Sequence, residues 1–343
     1  MYYWIEFSEL ISPNSNRILS GLVAWCTLNI MTNAAGNQDH SSDLQVLSTG
    51  SLRLDNALNL GGIPRGALVE IFGVSASGKT TLCQHILAEA QKSGLHCVWI
   101  DADHTFDPHY ASRCGVDIYS LIASEPADAE QALDTIETLS RSGGVGLIIL
   151  DSLTTLVPRG ELFQSLGSAE SLDLSPILAN ALPRIQRLLE RQGTTLILTN
   201  QEHPQFSRVY HQLSKHPSRL ALPLMASIRF HLKPLDTFNQ TASVDISRIS
   251  VQVVKNKYSP CAQSVNLDII VNRGFNINGD LFDLGEELGI FSQQEGSIFY
   301  NDKPVGSERN QVLDFLNTHP AIVREITSQI RLRLLPNAPA KPA

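Results

Sequence analysis

The sequence lacks a long uninterrupted hydrophobic run. Its apolar stretch at Ile18–Met31 is interrupted by serine, threonine and asparagine and is shorter than the roughly 20 residues that a transmembrane helix needs. A secretory signal is not expected, because Glu6 and Glu9 precede the first cation, Arg17, whereas such a signal opens with a basic segment. We therefore expect a cytoplasmic protein that has no membrane partner.

Cysteine is scarce, and positive charge is not in excess. The cysteines are odd in number, lie far apart and form no Cys-x-x-Cys pair, which favours reduced thiols over a disulfide framework or a zinc site. They are Cys26, Cys83, Cys97, Cys114 and Cys261. The formal net charge is -8, so no overall basic field indicates nucleic-acid binding. Any DNA site must therefore be a local loop or groove.

What is present from Ala67 onward is an alternation of short β-branched runs with helical patterns, typical of a parallel sheet with crossover helices. We predict strands at Ala67–Phe72, His96–Asp101, Leu147–Asp151 and Thr194–Thr199. Apolar residues at helical spacing predict an amphipathic helix at Pro126–Arg141, with a candidate cap at Ser124. Three later runs have no helical pattern between them and predict an antiparallel extension of the sheet. These runs are Ala226–Leu232, Arg248–Val254 and Ser264–Val271.

Four segments are predicted along the chain. Residues 1–45 form an N-terminal segment that we expect to be partly disordered or to reflect an over-extended start, since residues 1–30 resemble nothing that follows and Met31 opens a polar run. Residues 46–276 form the α/β core. Residues 277–335 combine an amphipathic segment, a hairpin around Ser297–Pro304 and further helices, so we expect a small α+β domain. The Pro/Ala-rich residues 336–343 are expected to be disordered.

A phosphate-binding motif lies between the first predicted strand and a helix. Residues Gly73 to Thr80 read GVSASGKT, which matches the GxxxxGK[ST] pattern in the strand-loop-helix context that it requires. Backbone amides of such a loop wrap the phosphates, Lys79 reaches the β and γ oxygens, and Thr80 binds Mg²⁺. The predicted nucleotide contacts are Gly73, Ser75, Ser77, Gly78, Lys79, Thr80 and Thr81.

Acidic side chains follow two further strands. Leu147–Asp151 is an apolar strand that ends in an acid, the arrangement by which P-loop enzymes hold hydrated Mg²⁺. The neighbouring strand ends in Asp101 and Asp103, whose spacing directs both side chains to one face. We predict that Asp151 serves the metal, that Asp103 positions or deprotonates the attacking water, and that Asp101 is structural. The alternative is that Asp101 and Asp103 are solvated acids at a strand end.

Several motifs in a fixed order make the chain resemble the bacterial RecA recombinase family. Besides the P-loop they are Leu47–Asp55 (LSTGSLRLD), Gly61–Gly66 (GGIPRG), Ile100–His104 (IDADH), Asp107–Tyr110 (DPHY), Asn200–Gln201 and Val253–Lys257 (VVKNK). The resemblance runs from about Val46 to Leu335. It implies a RecA-type P-loop core with a mostly parallel central sheet flanked by helices, followed by a small α+β C-terminal domain.

The resemblance also implies an ATP site that is shared between neighbouring subunits. Asp107 and Tyr110 match residues that lie against the adenine. Gln201 matches the γ-phosphate sensor that begins the second DNA-binding loop. Lys255 and Lys257 match cations that reach ATP bound to the adjacent subunit, although the two residues alone would be interpreted as solvated charges. The implied catalytic set is Asp103, Lys79, Gln201, Lys255 and Lys257.

The sequence departs from the family at its catalytic acid and its DNA loops. Asp103 replaces the usual glutamate, which predicts weak or altered hydrolysis. In the first loop, taken as Phe163–Pro183, Pro176 and Pro183 occupy positions of DNA-binding arginines, and Ser171 replaces a methionine wedge. The second loop, Glu202–Met225, lacks the family's glycine-rich centre but carries cations that predict DNA contact, the alternative being a solvated polar loop. These cations include Arg208, Lys215 and Arg219.

Taken together, the motifs predict an ATP- and Mg²⁺-dependent protein that binds single-stranded DNA and acts in recombination, repair and the SOS response as a homo-oligomeric filament. It would be a DNA-dependent ATPase. The alternative is a diverged ATP-binding paralogue with a regulatory or interaction role on a RecA filament and little strand-exchange activity.

Overall fold

The computed structural model describes residues 45–162, 174–202, 221–240, 244–260, 263–294 and 296–334. The strands are β1 (Val46–Leu47), β2 (Ile63–Pro64), β3 (Leu68–Gly73), β4 (Cys97–Asp101), β5 (Ile122–Ser124), β6 (Leu147–Asp151), β7 (Thr195–Gln201), β8 (Ile228–Gln240), β9 (Val244–Asn256), β10 (Ser264–Ile270), β11 (Gly274–Phe275), β12 (Phe291–Gln294), β13 (Ser297–Tyr300) and β14 (Lys303–Gly306). The helices are α1 (Leu52–Ala57), α2 (Lys79–Lys92), α3 (Pro108–Arg113), α4 (Ala129–Ser142), α5 (Arg159–Leu162), α6 (Ser175–Gln192), α7 (Ala221–Met225), α8 (Ile277–Glu287), α9 (Arg309–Thr318) and α10 (Pro320–Leu334).

The central sheet has the strand order β11-β10-β9-β8-β3-β7-β6-β4-β5. Strands β5, β4, β6, β7, β3 and β8 run parallel to one another, and β8 to β11 pair antiparallel. The expected parallel core with an antiparallel extension is therefore confirmed. The carboxyl ends of β3, β4, β6 and β7 share one edge, where open α/β sheets bind ligands.

Two hydrophobic clusters cover the faces of the sheet. Leu82 and Ile86 of α2 pack with Ile71 and Ile149 on one face. On the other face, α4 and α6 pack against the alternate strand residues, as Ile136 and Ile185 do. Because parallel strands are covered on both faces, they read as continuous apolar runs. This is why their positions could be predicted from the sequence.

Two local predictions were wrong. Ser124 does not cap α4, because it is the last residue of β5; the cap is Asp128, whose carboxylate accepts a hydrogen bond from the Gln131 amide at 2.7 Å. The first loop does not extend to Pro183, because residues from Ser175 onward form α6. Pro176 lies in the first turn of that helix, where its missing N–H has no partner to lose, and Pro183 lies inside it.

Residues after β11 surround a third hydrophobic cluster. The strands β12, β13 and β14 form a separate antiparallel sheet, and its residues pack with those of α8, α9 and α10, including Phe282, Val312 and Ile330. The hairpin predicted around Ser297–Pro304 is confirmed as β13 and β14.

No helix in the described part of the chain is both long and apolar enough to cross a membrane. The predictions for residues 1–44 and 335–343 lie outside the described residues, and so does Ser171.

Candidate active site

The P-loop joins β3 to α2 at the carboxyl edge of the sheet. Gly78 immediately precedes α2 and has a φ of 86°, a left-handed conformation that favours glycine. A Cβ at Gly73 would lie 2.2 Å from the carbonyl oxygen of Leu232, so no other residue fits there without a shift of backbone. The hydroxyl of Ser77 is buried and has no hydrogen-bond partner among the described residues. A loop of close-fitting glycines with a free donor suits a phosphate ligand.

Lys79 is held against the loop that it follows. Its Nζ donates to the carbonyl oxygens of Val74 at 2.8 Å and Gly73 at 3.2 Å. Burial lowers the pKa of Lys79, and the charges of Asp151 and Asp103 oppose that shift. The lysine therefore lies within the electrostatic reach of both candidate acids.

Thr80 and Asp151 lie in direct contact. The Thr80 hydroxyl donates to Oδ2 of Asp151 at 2.7 Å, and the other carboxylate oxygen accepts from Thr199. Burial raises the pKa of Asp151. The hydrogen bonds from the hydroxyls of Thr199 and Thr80 lower this pKa, and the nearby charges of Asp103 and Asp101 raise it further. A hydroxyl beside one carboxylate fits Mg²⁺, which keeps several waters and takes few protein oxygens. The described residues contain no cluster of three or more His, Cys, Asp or Glu suited to a metal. A P-loop Mg²⁺ site does not need such a cluster, because the phosphates and waters supply most of the ligands.

Asp103 is tied to the turn that follows β6. Its Oδ1 accepts from the amide and the hydroxyl of Ser152, both at 2.9 Å, and also from the hydroxyl of Thr155. Asp101 instead accepts from the amides of Thr105 and Phe106. Asp101 thus orders the chain after β4, whereas Asp103 lies beside Asp151, the candidate metal-binding acid.

Tyr110 of α3 contacts the helix that follows the P-loop, and Asp107 caps α3. The Tyr110 hydroxyl lies 2.9 Å from that of Thr81, and burial raises its pKa to about 12. Asp107 caps α3 with Oδ1, which accepts from the His109 amide at 2.8 Å. The structure therefore fixes the tyrosine against α2, the helix that begins at the P-loop.

The sensor candidate Gln201 is the last residue of β7. Its amide donates to the Thr154 hydroxyl at 2.9 Å, and this hydroxyl donates to the side chain of Asn200 at 3.2 Å. Thr154 and Thr155 belong to one short turn, Leu153–Thr155. This turn therefore connects Asp103 with the end of β7. No pattern in the sequence indicates this role of the turn.

The two lysines of the VVKNK motif lie on a different part of the sheet. Lys255 is on β9, which β8 separates from β3. Its Nζ donates to the carbonyl oxygens of Pro223 and Leu224, both at 2.8 Å, and Lys257 donates to that of Met225 at 3.2 Å. Both ammonium groups thus gather at the end of α7. The structure groups Lys79, Thr80, Asp103 and Asp151 at one loop and places these lysines elsewhere.

The candidate DNA contacts Arg208, Lys215 and Arg219 lie outside the described residues. Sequence reasoning missed Glu70 and Arg229, which form an ion pair beside the end of β7. A signal existed, because Glu70 stands inside an otherwise apolar strand, and a fully buried acid needs a partner.

Comparison with known proteins agrees with this geometry. The RecA N-terminal domain family matches residues 27–276. Protein RecA of Chloroflexus aurantiacus is 38% identical over 294 residues, which cover 86% of this chain and 84% of that protein. Protein RecA of Rickettsia canadensis is 37% identical over 289 residues, 84% of each chain. A crystal structure of the RadB recombinase shares the fold, with a TM-score of 0.50 and 23% identity over 67% of this chain and 98% of that one. The chain therefore belongs to the RecA family.

Proposed function

We propose that this protein is a RecA-like recombinase that uses ATP to act on single-stranded DNA in homologous recombination and repair. The carrying observation is that Lys79, Thr80, Asp103 and Asp151 converge at one edge of the sheet in a chain 38% identical to a protein RecA over 86% of its length. The proposal makes the protein a DNA-dependent ATPase.

Each side chain at this edge has a defined task in phosphoryl transfer. Lys79 neutralises charge on the β- and γ-phosphates. Thr80 and Asp151 would hold Mg²⁺, which would supply further positive charge against the phosphates. Asp103 lies beside Asp151 and orients the attacking water. Tyr110 offers an aromatic face to the adenine. The remaining loop contacts are backbone amides between Gly73 and Thr81, with Ser75 and Ser77 as additional donors.

Lys255 and Lys257 are assigned to the ATP of the neighbouring subunit. Their attachment to carbonyls at the end of α7, two strands away from β3, supports a role outside the subunit's own P-loop. Cations supplied across a subunit boundary raise phosphoryl-transfer rates by roughly 10³ to 10⁵. The filament therefore completes the catalytic site.

Gln201 couples the nucleotide to DNA, because it ends the strand before residues 203–220. Arg208, Lys215 and Arg219 contact the phosphates of single-stranded DNA. The chain works in the cytoplasm and in the SOS response. Its segments are 1–45, 46–276, 277–335 and 336–343; the separate hydrophobic cluster formed by α8 to α10 and β12 to β14 supports the third boundary.

The first test is steady-state ATP hydrolysis by the full chain, with and without single-stranded DNA. We expect stimulation by DNA, and its loss in Lys79→Ala, because that variant lacks the phosphate cation. Arg141→Ala, which removes an exposed ion pair on α4, is the matched control and keeps the stimulated rate. ATP binding without any DNA stimulation would instead favour the diverged regulatory paralogue.

A further inference from the structure

One row of charged side chains crosses three neighbouring strands. Glu70 on β3 is the register partner of Arg229 on β8, and Arg229 is the register partner of Lys255 on β9. Register partners in adjacent strands project from the same face of a sheet. The order of charges along the row is therefore negative, positive, positive.

Arg229 and Lys255 are like charges placed directly opposite each other, an arrangement that destabilises a strand pair. The pKa of Lys255 is lowered by burial first, and then by the charges of Lys257 and Arg229, while Glu70 raises it. Lys255 thus experiences Arg229 as a repelling neighbour and Glu70 as the compensating charge.

The position of the Arg229 guanidinium is set by Glu70. The Glu70 side chain is buried, and its Oε2 accepts a hydrogen bond from Nε of Arg229. Its other oxygen, Oε1, accepts from the side-chain amide of Asn200 at 3.0 Å, which fixes the orientation of the carboxylate. Arg229 also lies over the ring of Phe72, 4.5 Å from its centroid. These contacts draw the guanidinium towards β3 and away from β9.

The backbone of β9 has a β-bulge next to Lys255. The pairing of β8 with β9 shifts register between Arg229 and Phe230, so that Val254 is an extra residue next to Lys255. Bulges of this kind turn the strand and redirect a side chain. From this bulge, Lys255 donates to the carbonyl oxygens of Pro223 and Leu224. If Arg229 moved away from Glu70, its guanidinium would compete with Lys255 for these two carbonyls.

We propose that Glu70 is a positioning residue for Lys255: by holding Arg229 towards β3, it keeps Lys255 in place at the end of α7, from where it serves the ATP of the neighbouring subunit. This inference rests on the proposed function, in which Lys255 and Lys257 act across the subunit boundary. Glu70 itself touches neither nucleotide nor DNA in this role.

Mixed filaments of two defective full-length chains test it. The donor carries Lys79→Ala, which disables its own ATP site but leaves its lysine pair. The acceptor carries Lys255→Ala and Lys257→Ala, which leaves its P-loop but removes its lysines. In a random one-to-one mixture, about a quarter of the head-to-tail boundaries join a donor lysine pair to an intact acceptor site. We expect DNA-stimulated ATP hydrolysis from the mixture and none from either chain alone.

Glu70→Gln is then added to the donor or to the acceptor. Glutamine keeps an acceptor for Asn200 and removes only the charge that holds Arg229. We expect hydrolysis by the mixture to fall about tenfold or more, the scale of a misplaced catalytic group, when the donor carries the change. It should stay within about twofold when the acceptor carries it. Both chains suffer the same structural change, so a general folding defect would lower both mixtures equally and overturn the proposal.

A second substitution tests the repulsion directly. Adding Arg229→Met to the Glu70→Gln donor removes the like charge opposite Lys255, so we expect recovery of most of the lost hydrolysis. Failure of this donor to recover, or an unchanged rate with the Glu70→Gln donor, would overturn the assignment of Glu70 while the proposed function stands. No hydrolysis in the original donor and acceptor mixture would refute the shared site itself, and the inference with it.

Discussion

The carboxylate of Asp103 is short and is already bound at one oxygen. Oδ1 accepts from Ser152 and Thr155, which directs the group towards the turn after β6. A water-positioning group must lie within hydrogen-bond reach of the water, and a misplacement of about 1 Å can cost on the order of a hundredfold in rate. Because the side chain of Asp103 is one methylene shorter than glutamate, we predict slow hydrolysis.

Asp103→Glu is expected to increase DNA-stimulated ATP hydrolysis by about tenfold, because the longer side chain extends past the turn. Asp103→Asn keeps the size and removes the charge, so it should hydrolyse ATP more slowly than the wild type. The measurement is the steady-state rate at saturating ATP and DNA, and the affinity for a non-hydrolysable ATP analogue, unchanged in both variants, is the control. A slower Asp103→Glu chain would show that the turn requires the shorter acid.

Helix α6 contains two prolines, Pro176 and Pro183, that the sequence alone did not place in a helix. Pro176 and Pro183 were interpreted as residues of a loop, yet both belong to one helix. Pro176 lies in the first turn, where proline is tolerated. Pro183 is tolerated inside the helix because Leu182 and Ile185 beside it are buried in the core, and tertiary packing overrides helix propensity.

Pro183→Ala is expected to raise the free energy of unfolding by about 1 kcal/mol or more, because alanine restores a backbone donor and removes a clash with the preceding turn. Urea-induced unfolding measures the change. Pro176→Ala is the matched control, since the first turn needs no donor there, and its effect should stay within about 0.5 kcal/mol. Equal effects of the two substitutions would contradict this account of the helix.

Strands were easier to predict than the contacts between them. Leu147–Asp151 was predicted with its observed bounds, since a strand buried on both faces is an apolar run that ends where the sheet ends. The cap at Asp128 was missed, because several polar residues precede α4 and the one that caps it depends on the residue at which the helix begins. The row of Glu70, Arg229 and Lys255 was not predictable, because it depends on β8 lying parallel to β3. Strand order of this kind is a tertiary property.

The same distinction applies to the active site. The P-loop could be predicted because its residues occupy consecutive positions in one loop. The acids could be predicted because each lies at or just after the end of an apolar strand. The hydroxyls of Ser152 and Thr155 were not predicted, since nothing in a Ser-Leu-Thr-Thr run indicates that it folds against Asp103. Such supporting groups are selected by the approach of β4 to β6.

The core and the C-terminal residues meet through a half-buried acid. Asp280 of α8 binds Nε of Arg53 on α1 at 2.6 Å and accepts from the Ser51 hydroxyl at 3.1 Å. Arg53 also binds Glu287, which is more exposed. Burial raises the pKa of Asp280 to about 6, although Arg53 and Ser51 act in the opposite direction. The contact is therefore sensitive to protonation.

The pH dependence of stability follows from this shift. Because the folded-state pKa lies above the unfolded value, Asp280 stabilises the fold at low pH, and its contribution is lost as pH rises from about 4 through about 6. Asp280→Asn stays neutral, so its free energy of unfolding should rise relative to the wild type by about 1 to 3 kcal/mol between about pH 4 and pH 7. Urea-induced unfolding across this range measures the difference. Glu287→Gln controls for the loss of an Arg53 ion pair, and parallel pH profiles for Asp280→Asn and the wild type would show that the carboxylate of Asp280 is solvated.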